Sequence, residues 1–283
     1  MTARETIRGL LELTRPVNVV AASLLTFIGA FVAGGVTGNA ESVAAAVIAT
    51  GLAVGAGNAI NDYFDREIDR INRPERAIPR GAVSPRGALA FSVVLFAIAV
   101  VLALTLPWLA IAIAAVNLVA LVAYTEFFKG LPGLGNALVA YLVGSTFLFG
   151  AAAVGEVGPA VVLFLLAAIA TLTREIVKDV EDLEGDREEG LNTLPIAIGE
   201  GRALWVAAGL LVVGVLASPL PYLLGYFDLV YLVLVVPADV IMLAAAVRSF
   251  DDPTTGQSWL KYGMFLAALA FVLGRAALEA GGL

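Results

Sequence analysis

Apolar residues in this chain gather into long unbroken runs separated by short polar connections. The strict alternation of a half-buried strand and the one-sided repeat of a surface helix are both absent from these runs. Crossing a hydrocarbon core of about 30 Å takes roughly 20 helical residues. Nine runs approach that length: 17–36, 43–60, 88–106, 108–125, 134–154, 159–174, 203–218, 222–247 and 260–278. The expected fold class is therefore all-α, a polytopic membrane protein with nine transmembrane helices in a single bundle, one domain over residues 1–283. The first run follows Arg15 and Pro16 without a small-residue cleavage pattern, so it reads as a retained span.

Charge supports this partition. Sixteen of the 17 Lys and Arg residues fall at the N-terminus or in alternate connections, and only Arg275, late in the last run, stands apart. Basic residues collect on the cytoplasmic side. That puts the N-terminus and the two long connections, 61–87 and 174–202, in the cytoplasm of a multi-pass cell-membrane protein. Composition agrees, with 60% hydrophobic and 14% charged residues, where soluble domains carry about 25% charged. Cysteine and histidine are both absent, which leaves metal chemistry to oxygen ligands. A net charge of −7 argues against a nucleic-acid partner.

The long cytoplasmic connections carry the chemistry. One reads NAINDYFDREIDRINRPERAIPRG from residue 58, the other EIVKDVEDLEGDREEGLNTLP from residue 175. Asn58, Asp62, Asp65 and Asp69 are matched by Glu175, Asp179, Asp182 and Asp186, each offset by 117 residues. Steps of three and four residues place side chains on one helix face. Like charges so placed repel one another and oppose the dipole at a helix C-terminus. A cation is needed, and magnesium suits: it takes one or two carboxylates together with substrate phosphates and water. A solvated acidic loop would explain either run alone, but not two runs matched residue by residue.

Smaller features are less specific. Lys129 is the one cation between the fourth and fifth runs, either a phosphate ligand or a topology-setting charge. Tyr124 lies at the membrane edge, where it would also serve as an interfacial anchor. Asp239 falls inside the eighth run, either functional or bonded to a neighbouring helix. Asn117 reads as an interhelical hydrogen-bonding group.

At these residues the chain resembles the UbiA-type superfamily of membrane prenyltransferases. The first family motif corresponds to Asn61, Asp62, Asp65 and Asp69, and the second to Asp179, Asp182 and Asp186. A trailing Thr-x-Pro appears as Thr193, Leu194 and Pro195, and Tyr124 and Lys129 match a Tyr and Lys placed after the fourth span. The turn after the first motif departs from the family pattern at Ala77 and Arg80. The resemblance implies that the six aspartates hold Mg2+ against the diphosphate of an isoprenyl donor. It also implies Asn58, Asn61, Arg66, Arg76, Tyr124 and Lys129 as substrate contacts, with Arg174 and Lys178 near an acceptor's phosphate. ELTRPVN (12–18) and REIVKDVEDLEGD are most similar to the branch acting on archaeal ether lipids. That branch implies geranylgeranyl transfer from its diphosphate to a lipid-like acceptor, geranylgeranylglyceryl phosphate. Aromatic, quinone, porphyrin or carotenoid acceptors within the same family are the alternative. An ion-coupled transporter is a further one, although transporters place their acids near the midplane.

Overall fold

The structure is a computed structural model describing residues 3–128 and 130–281; Lys129 lies outside the described residues. The described residues form helices and no strands, as expected where lipid offers the backbone no hydrogen-bond partners. In chain order they are α1 (Ala3–Thr14), α2 (Pro16–Val32), α3 (Ala40–Phe64), α4 (Arg66–Asn72), α5 (Pro85–Ala103) and α6 (Trp108–Ala123). A π-helical turn, Tyr124–Phe128, precedes α7 (Leu134–Ala153), α8 (Gly158–Glu181), α9 (Leu183–Glu188) and α10 (Leu194–Ile198). The chain ends with α11 (Glu200–Ala217), α12 (Leu220–Leu223), α13 (Leu229–Arg248) and α14 (Pro253–Glu279).

Each predicted run meets one apolar helix: α2, α3, α5, α6, α7, α8, α11, α13 or α14. Seven helices are long and apolar enough to cross a membrane, and an eighth span results if α1 and α2 count together across their 48° bend. With 16 residues, α6 is shorter. Length and composition thus support seven or eight crossings, and the count of nine depends on α6.

Several boundaries differ from the sequence expectation: α8 runs on to Glu181 and α14 begins at Pro253, and two further differences change the elements themselves. The run 222–247 is not continuous: a turn with Gly225 at φ 74° separates α12 from α13. Asp228 then restarts the helix, its carboxylate accepting from the Val230 amide at 3.1 Å, as an N-cap does. The N-terminal connection is itself helical. In α1, Leu13 is buried while Ile7 and Leu11 are exposed, an amphipathic pattern suited to lying along an interface. Pro16, at the first position of α2, cannot continue the ladder of α1, and Arg15 takes the left-handed conformation, φ 51°.

Packing divides the bundle into two halves with α2 between them. The halves meet where α7 packs on α8, and α2 crosses α7 beside that seam. A methyl group on Gly29 would overlap the Phe147 carbonyl, and one on Gly150 would overlap the Thr26 carbonyl, so only glycine permits this approach. One half, α3, α5, α6 and α7, is cored by small residues such as Ala46, Ala110 and Ala152 with Phe149. The other, α8, α11, α13 and α14, is centred on stacked rings of Phe227, Tyr231 and Phe271 against Phe147. There Asp239 is buried and accepts from the Ser218 hydroxyl at 2.5 Å, while the Tyr231 hydroxyl donates to the Ser218 carbonyl at 2.6 Å. That clasp between α11 and α13 gives Asp239 a structural partner.

Candidate active site

The repeat is kept in the backbone. Asp62 ends α3, Asp69 lies in α4, and Asp65 between them has φ −81°, ψ 2°. Asp179 and Asp186 lie in α8 and α9, and Asp182 between them has φ −87°, ψ 5°. The single helix face expected from the spacing is therefore interrupted at the middle aspartate of both runs. The interruption is mild, because each ladder continues through it: Asp65 N to Asn61 O and Asp69 N to Asp65 O are both 2.9 Å.

Both runs lie at one end of the bundle. Arg15, opening α2, donates to Asp62 at 2.7 Å. Asn136, opening α7, donates to Asp179 at 2.8 Å. The helices α2 and α7 run parallel, since Gly29 faces Phe147 and Gly35 faces Val154. The ends marked by Arg15 and Asn136, and the aspartates bonded to them, are thus on the same side.

The first run is buried and ion-paired. Asp62 and Asp69 are 7% and 5% exposed. Arg76 donates to Asp69 at 2.6 Å and reaches Asp62 at 3.4 Å. Asn58 holds the Thr14 carbonyl at 2.9 Å and so ties the α1–α2 bend to the motif. Arg66 instead turns back on the end of α3. It donates to the Tyr63 carbonyl at 2.8 Å and lies over that ring at 4.7 Å.

The second run is more open. Asp182 is exposed, with Lys178 Nζ 3.8 Å from its carboxylate. Asp179 feels Asp186, Glu175 and Lys178, and Tyr124 faces Glu175, Asp179 and Asp186. Burial raises the Asp186 carboxyl from its ordinary value against a hydrogen bond from Thr193, with Asp182 and Glu189 adding to the rise. Thr193, buried beside Asp186, has no other partner for its hydroxyl among the described residues. Arg174 pairs with Glu175 at 2.9 Å and with Gln257 of α14 at 3.0 Å.

Beneath the first run lies a cavity of about 430 Å3, open on one side and walled by α3, α5, α6 and α7. Asn58 and Asn61 line it at the aspartate end and Ala49 at depth. At 1.5 Å per residue along α3, it extends about 18 Å into the apolar layer. Its walls are apolar apart from those two asparagines, Thr50, Thr146 and Asn117. The Asn117 carbonyl oxygen is buried and unpartnered among the described residues.

Comparisons with known proteins agree with this architecture. The model of the UbiA prenyltransferase family matches residues 22–269. The chain belongs to the UbiA prenyltransferase family. Among UbiA relatives, the digeranylgeranylglyceryl phosphate synthase of Natronomonas pharaonis is 71% identical over 277 residues, covering 98% of this chain and 100% of that protein. The enzyme of the same name from Haloquadratum walsbyi is 62% identical, covering 98% of each chain. A solved structure concerned with digeranylgeranylglyceryl phosphate synthase in membranes is 36% identical, with TM-score 0.83 over 96% of this chain and 99% of that one. A UbiA homologue from Archaeoglobus fulgidus, bound to DMAPP and Mg2+, shares the fold at 19% identity, with TM-score 0.72 over 96% and 99% of the two chains.

Of the UbiA-motif residues, the structure brings Asn58, Asp62, Asp69 and Arg76 together, and separately Tyr124, Asp179 and Asp186. Arg15 and Asn136 were missed from the sequence, since neither lies within an aspartate run. Their signal was positional: each opens a span beside the end of the helix that carries a motif. Among the described residues no three acidic side chains are close enough to hold a metal alone. The donor set, oxygen-only and partly open at Asp182 and Asp186, suits an ion such as Mg2+ that completes its shell from a bound diphosphate.

Proposed function

We propose that this UbiA-family chain is an Mg2+-dependent prenyltransferase whose site faces the cytoplasm. It transfers a geranylgeranyl group from geranylgeranyl diphosphate to geranylgeranylglyceryl phosphate and so forms the second ether bond of an archaeal lipid. One observation carries the proposal: two matched aspartate runs at one end of the bundle, one of them opening onto a long apolar cavity. The full-length identity of 71% to a digeranylgeranylglyceryl phosphate synthase supports the acceptor.

The chain's own groups assign the steps. Asp62, Asp65 and Asp69 with Asp179, Asp182 and Asp186 would hold Mg2+. Bound there, the metal supplies Lewis-acid neutralisation of a departing diphosphate. Arg76 and Arg15, now on aspartates, are positioned to add charge-assisted hydrogen bonds to phosphate oxygens; Tyr124, beside the second run, and Lys129, by its sequence match, are assigned the same role. Asn58 and Asn61 mark the cavity mouth, so the donor chain descends between α3, α5 and α6. The bond from C1 to the diphosphate breaks with its electron pair leaving on oxygen. The acceptor hydroxyl donates the pair for the new C–O bond, and its proton passes to a carboxylate or to the released diphosphate. Apolar walls keep water from competing for the allylic cation.

Purified protein incubated with labelled geranylgeranyl diphosphate, Mg2+ and a panel of acceptors tests this. Labelled digeranylgeranylglyceryl phosphate is expected from the glycerol lipid. Turnover only with an aromatic, quinone, porphyrin or carotenoid acceptor would replace the acceptor and keep the chemistry.

A further inference from the structure

The half of the bundle away from the first aspartate run holds a second, smaller cavity of about 150 Å3. Thr171 of α8 and Met264, Phe265 and Ala268 of α14 are among its almost wholly apolar walls. Leu24 of α2 also lines it, and Leu24 and Phe265 are 51% and 53% exposed, which leaves a side opening between α2 and α14.

A set of polar groups stands just above this cavity, on the side of the aspartates. Arg174 is one turn beyond Thr171 on α8. On α14, Gln257 and Lys261 precede Phe265 at steps of four, which share a helix face. Lys261 Nζ lies 5.9 Å from the centre of the Phe265 ring and makes no salt bridge among the described residues. The guanidinium of Arg174 is only partly used. Its Nη1 donates to Glu175 at 2.9 Å and its Nη2 to the Gln257 side-chain oxygen at 3.0 Å, while its Nε is buried without a partner among the described residues. The Nε–Nη2 edge is the fork with which arginine grips phosphate through two parallel bonds. Here one prong is empty and the other rests on a neutral amide, whose rotation would present an NH2 to the same anion.

We infer that Arg174, Gln257 and Lys261 form the headgroup site for the phosphate of the lipid acceptor, an assignment that rests on the prenyl-transfer function proposed above. The cavity beneath takes the first stretch of the acceptor chain, and the remainder leaves to lipid between α2 and α14. The donor chain lies in the larger cavity of the other half, so the two substrates enter from opposite halves. Electrostatics favours the separation. Lys178, the other sequence candidate, faces Asp182, where an acceptor phosphate would meet the carboxylates reserved for the metal. Arg174 and Lys261 offer positive charge on the α14 side. Glu175, holding Nη1, orients the guanidinium and leaves the fork edge toward α14.

The test measures acceptor KM, donor KM and product with geranylgeranylglyceryl phosphate and with the same lipid lacking its phosphate. Arg174→Lys keeps the charge and loses the fork, Gln257→Leu loses the amide, and Lys261→Gln changes an exposed side chain that folding does not need. The expected result is an acceptor KM raised about tenfold in Arg174→Lys, on the order of one lost charge-assisted bond, and several-fold in the other two. Donor KM stays within about twofold, and the preference for the phosphorylated acceptor shrinks in each variant by the factor its acceptor KM has risen. Wild-type protein that never uses the phosphorylated lipid overturns the function itself. Wild-type protein that uses it, beside Lys261→Gln and Arg174→Lys variants with unchanged acceptor KM and unchanged preference, overturns the headgroup site alone.

Discussion

The two aspartate runs share spacing and backbone but not charge balance. In the first, Asp62 and Asp69 are buried and the chain supplies its own cations, Arg15 and Arg76. In the second, Asp182 has one lysine at 3.8 Å, Asp179 has an amide, and the other close charges include acids. Repeating carboxylates has therefore not repeated the electrostatics. The first run is built to be quiet when empty. The second is left needing a cation from outside, because like charges brought together in a partly desolvated site are costly until neutralised.

Substituting each run should separate these roles, and the largest effect is on turnover. Asp62→Ala and Asp182→Ala should each lower turnover by roughly a hundredfold to a thousandfold, the scale of losing one preorganised electrostatic contact in a reacting site. Thermal unfolding should then distinguish them. Asp62→Ala strands Arg15, leaves Arg76 on Asp69 alone and lowers the melting temperature, whereas Asp182→Ala relieves repulsion and does not. Equal destabilisation by both would end the contrast. Next in size is Arg76→Gln, which leaves the buried Asp69 uncompensated and Asp62 on Arg15 alone and should cost on the order of 3 kcal/mol. Adding Asp69→Asn should recover part of this in a denaturant series.

Metal linkage should give a smaller signal. Mg2+ with inorganic diphosphate should raise the melting temperature of the wild-type protein, as any ligand binding only the native state does. EDTA should reverse that rise, and Asp182→Ala should blunt it. The smallest effect is with pH. The folded pKa of Asp186 lies above its unfolded value, so between the two the native state binds more protons and stability falls as pH rises through the folded pKa. Asp186→Asn should flatten that slope. A slope of the opposite sign in metal-free protein would contradict the burial described for this carboxyl.

Much of the fold was legible because bilayer physics writes it into composition: a span must be long, apolar and helical. The nine apolar runs met nine helices, within a few residues at most ends, with α8 and α14 continuing seven residues further into polar sequence at the aspartate end and a local signal overriding the eighth run. Gly225 and Asp228 broke the eighth, a turn-and-cap pair hidden inside apolar sequence. Helix α1 was read as a mere connection because its alternation of Arg4, Ile7, Arg8 and Leu11 is too short to register as a span. The six aspartates were readable from their spacing. Their partners were not, since Arg15 lies 47 residues from Asp62 and Asn136 lies 43 from Asp179. Such pairings are decided by how helices are laid side by side, which no local pattern encodes.

Where α2 crosses α7, Gly29 and Gly150 bring two backbones into contact deep in the apolar layer, one from the helix between the halves and one from the first half. Each helix carries a polar anchor for its own carboxylate run, Arg15 on one and Asn136 on the other. The gap across which the proposed diphosphate would lie is thus gauged by two missing methyl groups far from either aspartate run. A bulkier residue at either glycine would act like a shim in a hinge, spreading the jaws without touching what they hold.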